Sequence, residues 1–250
     1  MTTEVQISDQ QLLSNIKKIY QRIESAAKCA QRDPSEISLL LATKEQSIDT
    51  INRAIALGYG LIGENRAQEL MEKAPKLLQK INIPFKTPRE THFIGPLQGN
   101  KVNEVTAYAD CIQSVDRVRI ARRIDRASQA LNKKTAILIQ VNSSLDPNKQ
   151  GLLPDQLAPF LEDLAPFTHL EIRGLMTIGL QSDNPDVIRA GFSTLRELSE
   201  EMRQKGLLPE DAKELSMGMS GDLELAIEEG ATIIRIGSDI FGARKPSKEV

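Results

Sequence analysis

The sequence predicts a single α/β domain, a closed (β/α)8 TIM barrel preceded by one extra helix. Eight short apolar segments alternate with segments of helical periodicity, and the connections between them are short. No glycine-rich dinucleotide loop follows the first strand, which argues against the structural alternative, an open doubly wound sheet. The chain stops shortly after the eighth predicted strand, so we expect one domain over residues 1–250 and no C-terminal β domain.

The first predicted element is the extra helix, over residues 8–31. Its apolar residues recur at spacings of three and four, which puts them on one helical face. Ser8 is the expected N-cap, and Gln11 three residues later fits a capping box. Asp33 and Pro34 end this segment before the first strand.

The eight predicted strands are short runs rich in apolar residues, and the clearest of them is T-A-I-L-I-Q-V-N. Runs that are apolar throughout, without alternation, are typical of parallel strands buried on both faces. The seventh run is the weakest. The strands are predicted over residues 37–44, 60–65, 91–95, 111–115, 135–142, 172–178, 214–217 and 232–237.

The segments between the strands carry helical periodicity and recognisable ends. Gly58 and Gly230 each close a helix, and Asp116 is the expected cap of another. Residues 86–90 are expected to form an exposed loop that lengthens one connection. The helices are predicted over residues 49–57, 66–80, 100–108, 116–131, 154–165, 185–205 and 223–229.

Charge and composition exclude several classes of function. The net charge is -2, with 32 basic and 34 acidic residues, so no bulk charge favours nucleic acid or an anionic membrane. No apolar run approaches the ~20 residues that span a bilayer, and the polar N-terminus is unlike a signal peptide. Two cysteines and two histidines, without a C-x-x-C pair, disfavour a disulfide framework or a metal site. We therefore expect a cytoplasmic globular protein.

The first strand, I-S-L-L-L-A-T-K, ends in Lys44. The carboxyl ends of the strands form the working face of such a barrel. A lysine at that face either reaches into solvent, as most lysines do, or points into the pocket, where it needs a partner or a reactant. The strand alone leaves both interpretations open.

Two small, hydroxyl-bearing segments follow the seventh and eighth strands, where barrels of this kind often hold phosphate. They are S-M-G-M-S-G-D, residues 216–222, and R-I-G-S-D-I-F-G, residues 235–242. Either segment taken alone is explained by helix capping. Together, backbone N–H groups near Gly237 and the hydroxyls of Ser220 and Ser238 predict an anion-binding cup.

Arg235 interrupts the apolar eighth strand two residues before Gly237. A buried arginine needs hydrogen-bond acceptors. It either pairs with a strand-end carboxylate such as Glu64 or donates to a ring nitrogen of a ligand. The combination of Lys44, the anion cup and Arg235 fits pyridoxal 5'-phosphate (PLP), which carries an aldehyde, a phosphate and a pyridine nitrogen.

Six sequence segments support this hypothesis by resemblance. They are L-L-A-T-K (40–44), G-E-N-R-A-Q-E (63–69), H-F-I-G-P-L-Q-G-N-K (92–101), R-G-L-M-T-I (173–178), L-S-M-G-M-S-G-D (215–222) and R-I-G-S-D-I-F-G-A-R (235–244). Through them the chain resembles the family of PLP-binding homeostasis proteins, the YggS/PROSC/PLPBP type, which share the alanine racemase barrel known as PLP fold type III. Segment 81–90 is longer than the family leads us to expect and touches no motif residue.

The resemblance implies that eight residues bind the cofactor. Lys44 would form a Schiff base, and Arg235 would face the pyridine nitrogen. Phosphate would be held by Ser220, Gly237 and Ser238, while Asn65, Met176 and Ser216 would line the pocket. His92 is expected to be a hydrogen-bonded structural residue and not an acid or base.

Two classes of function remain. An amino-acid racemase needs a second base opposite the lysine, and in the racemases that this chain resembles a tyrosine from an additional domain of a dimer partner supplies it. Here Tyr20, Tyr59 and Tyr108 fall on or near predicted helices, away from the strand-end face. The resemblance favours a non-catalytic, monomeric PLP carrier that balances vitamin B6 and amino-acid pools, with PLP-dependent apoenzymes as recipients. A weak racemase or other PLP-dependent enzyme is the alternative.

Overall fold

A closed barrel of eight parallel strands forms the centre of the protein. The computed structural model describes residues 7–84 and 86–242. The strands are β1 (Ser38–Ala42), β2 (Leu61–Glu64), β3 (Glu90–Phe93), β4 (Cys111–Val115), β5 (Thr135–Gln140), β6 (Leu170–Met176), β7 (Glu214–Ser216) and β8 (Ile233–Ile236). Each strand pairs with the next in chain order, and β8 pairs with β1 to close the barrel. The predicted (β/α)8 barrel is therefore confirmed.

Helices alternate with the strands, and one further helix precedes β1. They are α1 (Asp9–Cys29), α2 (Ile48–Ala56), α3 (Ala67–Lys73), α4 (Val102–Tyr108), α5 (Val118–Ala130), α6 (Leu157–Leu164), α7 (Pro185–Gln204), α8 (Leu223–Glu228) and α9 (Ser238–Phe241). Short 3-10 turns occupy Pro34–Glu36, Ala74–Lys76, Gly99–Lys101 and Pro154–Gln156. Among the helices of the two described ranges, none is long and apolar enough to cross a membrane.

Three of the local signals at the helix ends were right and two were wrong. Gly58 and Gly230 close α2 and α8 as predicted, with φ angles of 96° and 98°. The Ser8 hydroxyl accepts the N–H of Gln11 and caps α1 as predicted. The helix predicted over residues 66–80 ends at Lys73 and becomes a 3-10 turn, because the next turn contains a proline without an N–H. Asp116 is not a cap, since it accepts the Nε–H of the neighbouring Arg117 instead.

Apolar side chains fill two regions of the fold. The larger core lies between the barrel and the helices and includes the fully buried Ile51, Phe93 and Phe192. The smaller core lies inside the barrel and consists of Leu40, Leu61, Cys111, Ala136, Leu138, Met176 and Ile233. Because the strands are buried on both faces, their sequences are apolar runs without alternation. Polar side chains, Gln113 and Arg235 among them, share the barrel interior with this smaller core.

Lys86 and Thr87 pack at the amino end of β2, away from the carboxyl ends of the strands. The Thr87 hydroxyl accepts the N–H of Gly60 at 2.8 Å. The Lys86 ammonium lies 4.6 Å from the centre of the Tyr59 ring. These contacts therefore lie at the end of the barrel opposite to the carboxyl ends of the strands.

Candidate functional site

A cavity of about 640 Å³ opens at the carboxyl ends of the strands. Seven of the eight predicted binding residues line it: Lys44, Asn65, Met176, Ser220, Arg235, Gly237 and Ser238. The eighth, Ser216, is fully buried and does not line the cavity. The Ser216 side chain instead lies behind the cavity wall, inside the barrel, where it contacts Arg235 and Gln113.

Lys44 lies in the turn after β1, two residues beyond the end of the strand. Its side chain is half-buried in the cavity wall. Two hydrogen bonds hold the preceding residue, Thr43, in place. Its hydroxyl donates to Glu64 Oε1 at 2.6 Å, and its carbonyl accepts from Lys73 Nζ at 3.0 Å. The backbone that carries Lys44 is thus anchored to β2 and α3.

The residue after Lys44 is fixed by the same group of charges. Lys73, which is 6% exposed, pairs with Glu64 at 3.1 Å and with Glu69 at 2.6 Å. Glu69 Oε2 also accepts the backbone N–H of Glu45 at 2.7 Å. We name Glu64, Glu69 and Lys73 the lysine clamp, since they hold the turn on both sides of Lys44. In the sequence, only the i,i+4 spacing of Glu69 and Lys73 on one helix is visible, and nothing there indicates that Glu64 joins them.

Glu64 was one of two predicted partners for Arg235, and the structure excludes that pairing. Glu64 is occupied by Thr43 and Lys73, as described above. Burial raises the pKa of the Glu64 carboxyl, and the Lys73 charge opposes this rise. Arg235 instead donates to the Ser216 hydroxyl and to the Thr177 carbonyl, each at 2.8 Å.

Arg235 is nearly buried at the base of the cavity. Burial lowers the pKa of its guanidinium to about 10, against the opposing charge of Asp222. The side chain therefore remains a cation at neutral pH. Two of its N–H groups donate to Ser216 and Thr177. The guanidinium therefore retains further donors for a ligand in the cavity that it lines.

The loops after β7 and β8 form one wall of the cavity. They contribute Ser220 and Gly221 from the first loop and Gly237 and Ser238 from the second. The N–H groups of Gly221 and Ser238 have no hydrogen-bond acceptor among residues 7–84 and 86–242. A Cβ added at Gly221 would meet nothing within 4 Å, so the backbone there is open to a ligand. The predicted hydroxyls and free N–H groups thus lie together.

Arg22 of α1 joins these two loops, and no sequence pattern indicated it. Its guanidinium donates to the Ser220 carbonyl at 2.9 Å and pairs with Glu224 at 2.7 Å. It also lies 3.4 Å from Asp239, in the helix that follows β8. The extra helix therefore holds the anion cup together from outside the barrel.

His92 lies inside the barrel below the cavity and is 2% exposed. Its ring nitrogens contact Glu90 and Gln113, each at 2.7 Å. As expected, His92 is a hydrogen-bonded interior residue. Within the described ranges, no cluster of three or more histidine, cysteine, aspartate or glutamate residues could hold a metal ion.

Comparison with known proteins first defines the class of the domain. Residues 7–245 match the family described as "Alanine racemase, N-terminal domain". An alanine racemase of Clostridium difficile has a TM-score of 0.72 at 11% identity, covering 96% of this chain and 58% of that protein. That likeness concerns the fold alone. The barrel is thus an alanine-racemase-type domain.

More similar proteins define the family. The pyridoxal phosphate homeostasis protein of Pasteurella multocida is 37% identical over 235 residues, which are 94% of this chain and 98% of that protein. The protein of the same name from Pseudomonas aeruginosa is 37% identical over 233 residues, covering 93% of this chain and 96% of that protein. The chain belongs to the family of pyridoxal phosphate homeostasis proteins.

Two solved structures are also similar. An unknown protein from Bifidobacterium adolescentis has a TM-score of 0.86 at 36% identity, covering 93% of this chain and 95% of that one. PipY of Synechococcus elongatus, solved with PLP bound, has a TM-score of 0.74 at 33% identity, covering 88% of this chain and all of that one.

Proposed function

We propose that this protein binds PLP as a Schiff base on Lys44 and acts as a carrier or regulator of the cofactor in vitamin B6 and amino-acid balance. The observation that carries the proposal is the convergence of an amine, a buried arginine and a hydroxyl-lined loop pair on one cavity. Membership of the homeostasis family and the PLP bound to PipY support the same ligand.

The residues of the cavity match the chemistry of the cofactor part by part. When bound, PLP supplies an electrophilic aldehyde carbon, and Lys44 is the primary amine in the cavity wall. The hydroxyls of Ser220 and Ser238, with the N–H of Gly221, are donors suited to a phosphate. Arg235 is a donor suited to an unprotonated ring nitrogen. Asn65, Met176 and Gly237 complete the wall.

A carrier role is favoured over racemisation by the positions of the tyrosines. Tyr59 is buried against Tyr20, with 5.7 Å between ring centres, and Tyr108 is exposed at the end of α4. None of the three lines the cavity, so none is positioned as the second base that opposite-face proton transfer needs. A weak racemase or other PLP-dependent activity is the alternative, because the same cavity would bind an amino acid beside the cofactor.

The proposed cellular setting follows from the carrier role. We expect the protein to act in the cytoplasm as a monomer, and to release PLP to apoenzymes that require it. Size-exclusion chromatography with light scattering tests the first part, since a stable dimer would contradict the monomer. Activation of a PLP-dependent apoenzyme by the loaded protein tests the second.

The deciding experiment is an absorption spectrum of the protein with added PLP, before and after borohydride, followed by peptide mapping. We expect a yellow protein whose reduced pyridoxyl group is on the peptide that contains Lys44. A Lys44→Ala variant is the control and should carry no label. A wild-type protein that stays colourless with excess PLP would refute the assignment. Turnover of amino acids by the loaded protein at an enzymatic rate would favour the alternative.

A further inference from the structure

A continuous chain of hydrogen bonds crosses the barrel interior and joins Arg235 to Glu90. Arg235 Nη1 lies 2.8 Å from the Ser216 hydroxyl oxygen. That hydroxyl lies 2.6 Å from Gln113 Oε1. Gln113 Nε2 lies 2.7 Å from His92 Nδ1, and His92 Nε2 lies 2.7 Å from Glu90 Oε2. We name these five residues the Arg235–Glu90 network.

The donor-only guanidinium at one end, the carboxylate at the other and the orientation of the Gln113 amide together give every hydrogen bond in the network a direction. A guanidinium has only donors, so Ser216 accepts from Arg235 and its single hydroxyl hydrogen goes to Gln113. That hydrogen meets the amide oxygen, which leaves the amide NH2 to donate to His92 Nδ1. The His92 proton therefore lies on Nε2 and is donated to Glu90, whose ionised carboxylate only accepts. All donors point from Arg235 toward Glu90.

The network is shielded from water over most of its length. Ser216 and Gln113 are fully buried, and His92 is 2% exposed. Hydrogen bonds aligned in one direction in such a low-dielectric interior polarise one another. The four links connect β8, β7, β4 and β3, so the network also fixes side chains on both sides of the barrel.

The network has a positive charge at one end, on Arg235, and a negative charge at the other, on Glu90. Within the described residues, the hydrogen bonds of Arg235 go to two neutral oxygens, those of Ser216 and Thr177. A buried cation whose hydrogen bonds go only to neutral oxygens is costly, and the nearby charge of Asp222 offsets part of that cost. Glu90 remains charged, because the hydrogen bond from His92 and the charge of Arg173 lower the pKa of its carboxyl to about 2 despite partial burial. Arg173 pairs with Glu90 at 3.1 Å at this end, and aligned hydrogen bonds polarise one another in a way that favours a cation at the Arg235 end.

We propose that Gln113 and His92 are positioning residues that hold the Arg235 guanidinium in one orientation beneath the cavity and reduce the cost of its buried charge. Its N–H groups that do not bond to Ser216 or Thr177 are thereby directed to the cavity. The ligand-dependent part of this inference rests on the proposed function, in which Arg235 donates to the ring nitrogen of PLP. Neither residue had a predicted role in binding.

The direction of the network is tested first in the ligand-free protein. The chain has two histidines, so nitrogen-15 NMR at neutral pH can resolve both, and a His169→Gln variant assigns them. We expect His92 to carry its proton on Nε2 alone. Ser216→Ala removes the group that orients the Gln113 amide, and Gln113→Glu removes the N–H donors, so both variants should shift the His92 Nδ1 signal.

Ser114→Ala is the matched control for these variants. Ser114 follows Gln113 on β4, is 3% exposed, and its hydroxyl has no partner in the described part of the chain. Its removal should leave the His92 signals unchanged. A wild-type His92 protonated on Nδ1 would overturn the proposal. So would His92 signals that are the same in wild type, Ser216→Ala and Gln113→Glu.

The positioning role is tested by titrating PLP into Gln113→Leu, with Gln113→Glu as the substitute if the first variant does not fold. We expect about a tenfold loss of affinity, the effect of one hydrogen bond to a charged group, and a shifted absorption maximum. Ser114→Ala should keep the wild-type values. Wild-type affinity and spectrum in the Gln113 variant would refute the role. Failure of every form to bind PLP would instead refute the proposed function, while the NMR result would still decide the network.

Discussion

Lys73 Nζ lies 3.1 Å from Glu64 Oε1, and this buried ion pair connects α3 to the carboxyl end of β2. The same ammonium donates to the carbonyl of Thr43, the residue before Lys44. A buried pair contributes little net stability relative to apolar residues of similar size, because desolvation offsets the attraction. Its value here is positional, since it fixes the turn that presents the amine.

The lysine clamp predicts a specific pattern of stability. Lys73→Met leaves Glu64 as a buried carboxyl without its cation, and we expect a loss of roughly 3 kcal/mol in the free energy of unfolding. Adding Glu64→Gln to that variant should recover part of the loss. Urea denaturation measures both. Lys76→Met, an exposed lysine in the next turn, is the control and should change stability little. An equally stable Lys73→Met protein would contradict the clamp.

Lys44→Ala should abolish the covalent link to PLP while leaving the fold intact. The reason is that Lys44 lies in the cavity wall, whereas the clamp around it uses the side chains of other residues. Mass spectrometry after borohydride checks the link. Thermal unfolding of the two ligand-free proteins checks the fold, and a large drop in melting temperature for the variant would show that the lysine is structural.

Ser220→Ala should weaken PLP binding by roughly 1–2 kcal/mol, the effect of one hydrogen bond to a charged group. That change corresponds to about a 5- to 30-fold higher dissociation constant. Titration followed by absorbance gives the value. The exposed Ser14 on α1 offers a control substitution to alanine. Equal affinity in Ser220→Ala would mean that phosphate is held elsewhere.

Arg22→Met should loosen the anion cup from outside the cavity. The substitution removes the bonds to the Ser220 carbonyl and Glu224, so the loop after β7 loses its support from α1. Because the Arg22–Glu224 pair is partly exposed, we expect PLP binding to weaken by about 1 kcal/mol, which is roughly a fivefold higher dissociation constant. Lys18→Ala, an exposed residue of the same helix, should have no effect. An Arg22→Met protein that binds PLP like wild type would argue that the cup needs no such support.

Glu90 should make the stability depend on acid pH. The pKa of its carboxyl is lowered to about 2 in the fold by the His92 hydrogen bond and by Arg173, whereas an unfolded glutamate has a pKa of about 4.3. The stabilisation is therefore complete above about pH 4.3 and is lost as the pH falls toward 2. Glu90→Gln should be less stable than wild type at pH 7, and the difference should shrink below pH 4. Denaturation curves of both proteins at pH 7 and pH 3 test this. An equal difference in the free energy of unfolding between wild type and Glu90→Gln at the two pH values would refute it.

The barrel was predictable because its signals are local. A run such as C-I-Q-S-V is short, apolar and bounded, and it forms a strand with the predicted bounds. Lys44, Ser220 and Arg235 were predictable because the fold brings all strand ends to one face. The length of α3 was misjudged because the helical pattern continues past Pro75, where the missing N–H ends the α-helical bonding.

The contacts that support the site could not be predicted in this way. Gln113 is one of two polar residues in β4, and only the closed barrel brings it to Ser216, 103 positions away. The Thr177 carbonyl was not foreseen as a partner of Arg235 for the same reason, since Glu64 was an available carboxylate and the actual choice depends on three-dimensional geometry. Pairings between distant residues leave no periodic pattern in a single sequence.

The pairing of Arg22 with Glu224 has a consequence for the order in which the protein acquires its properties. The two residues are 202 positions apart, and between them lies nearly the whole barrel. During synthesis the first helix leaves the ribosome long before the loops that it must hold, so the anion cup cannot form until the eighth strand has closed the sheet. Contacts of such long sequence separation form slowly. Only a completely folded molecule would then bind the cofactor. A truncated or misfolded chain would not bind it, and the reactive aldehyde would stay exposed to other proteins.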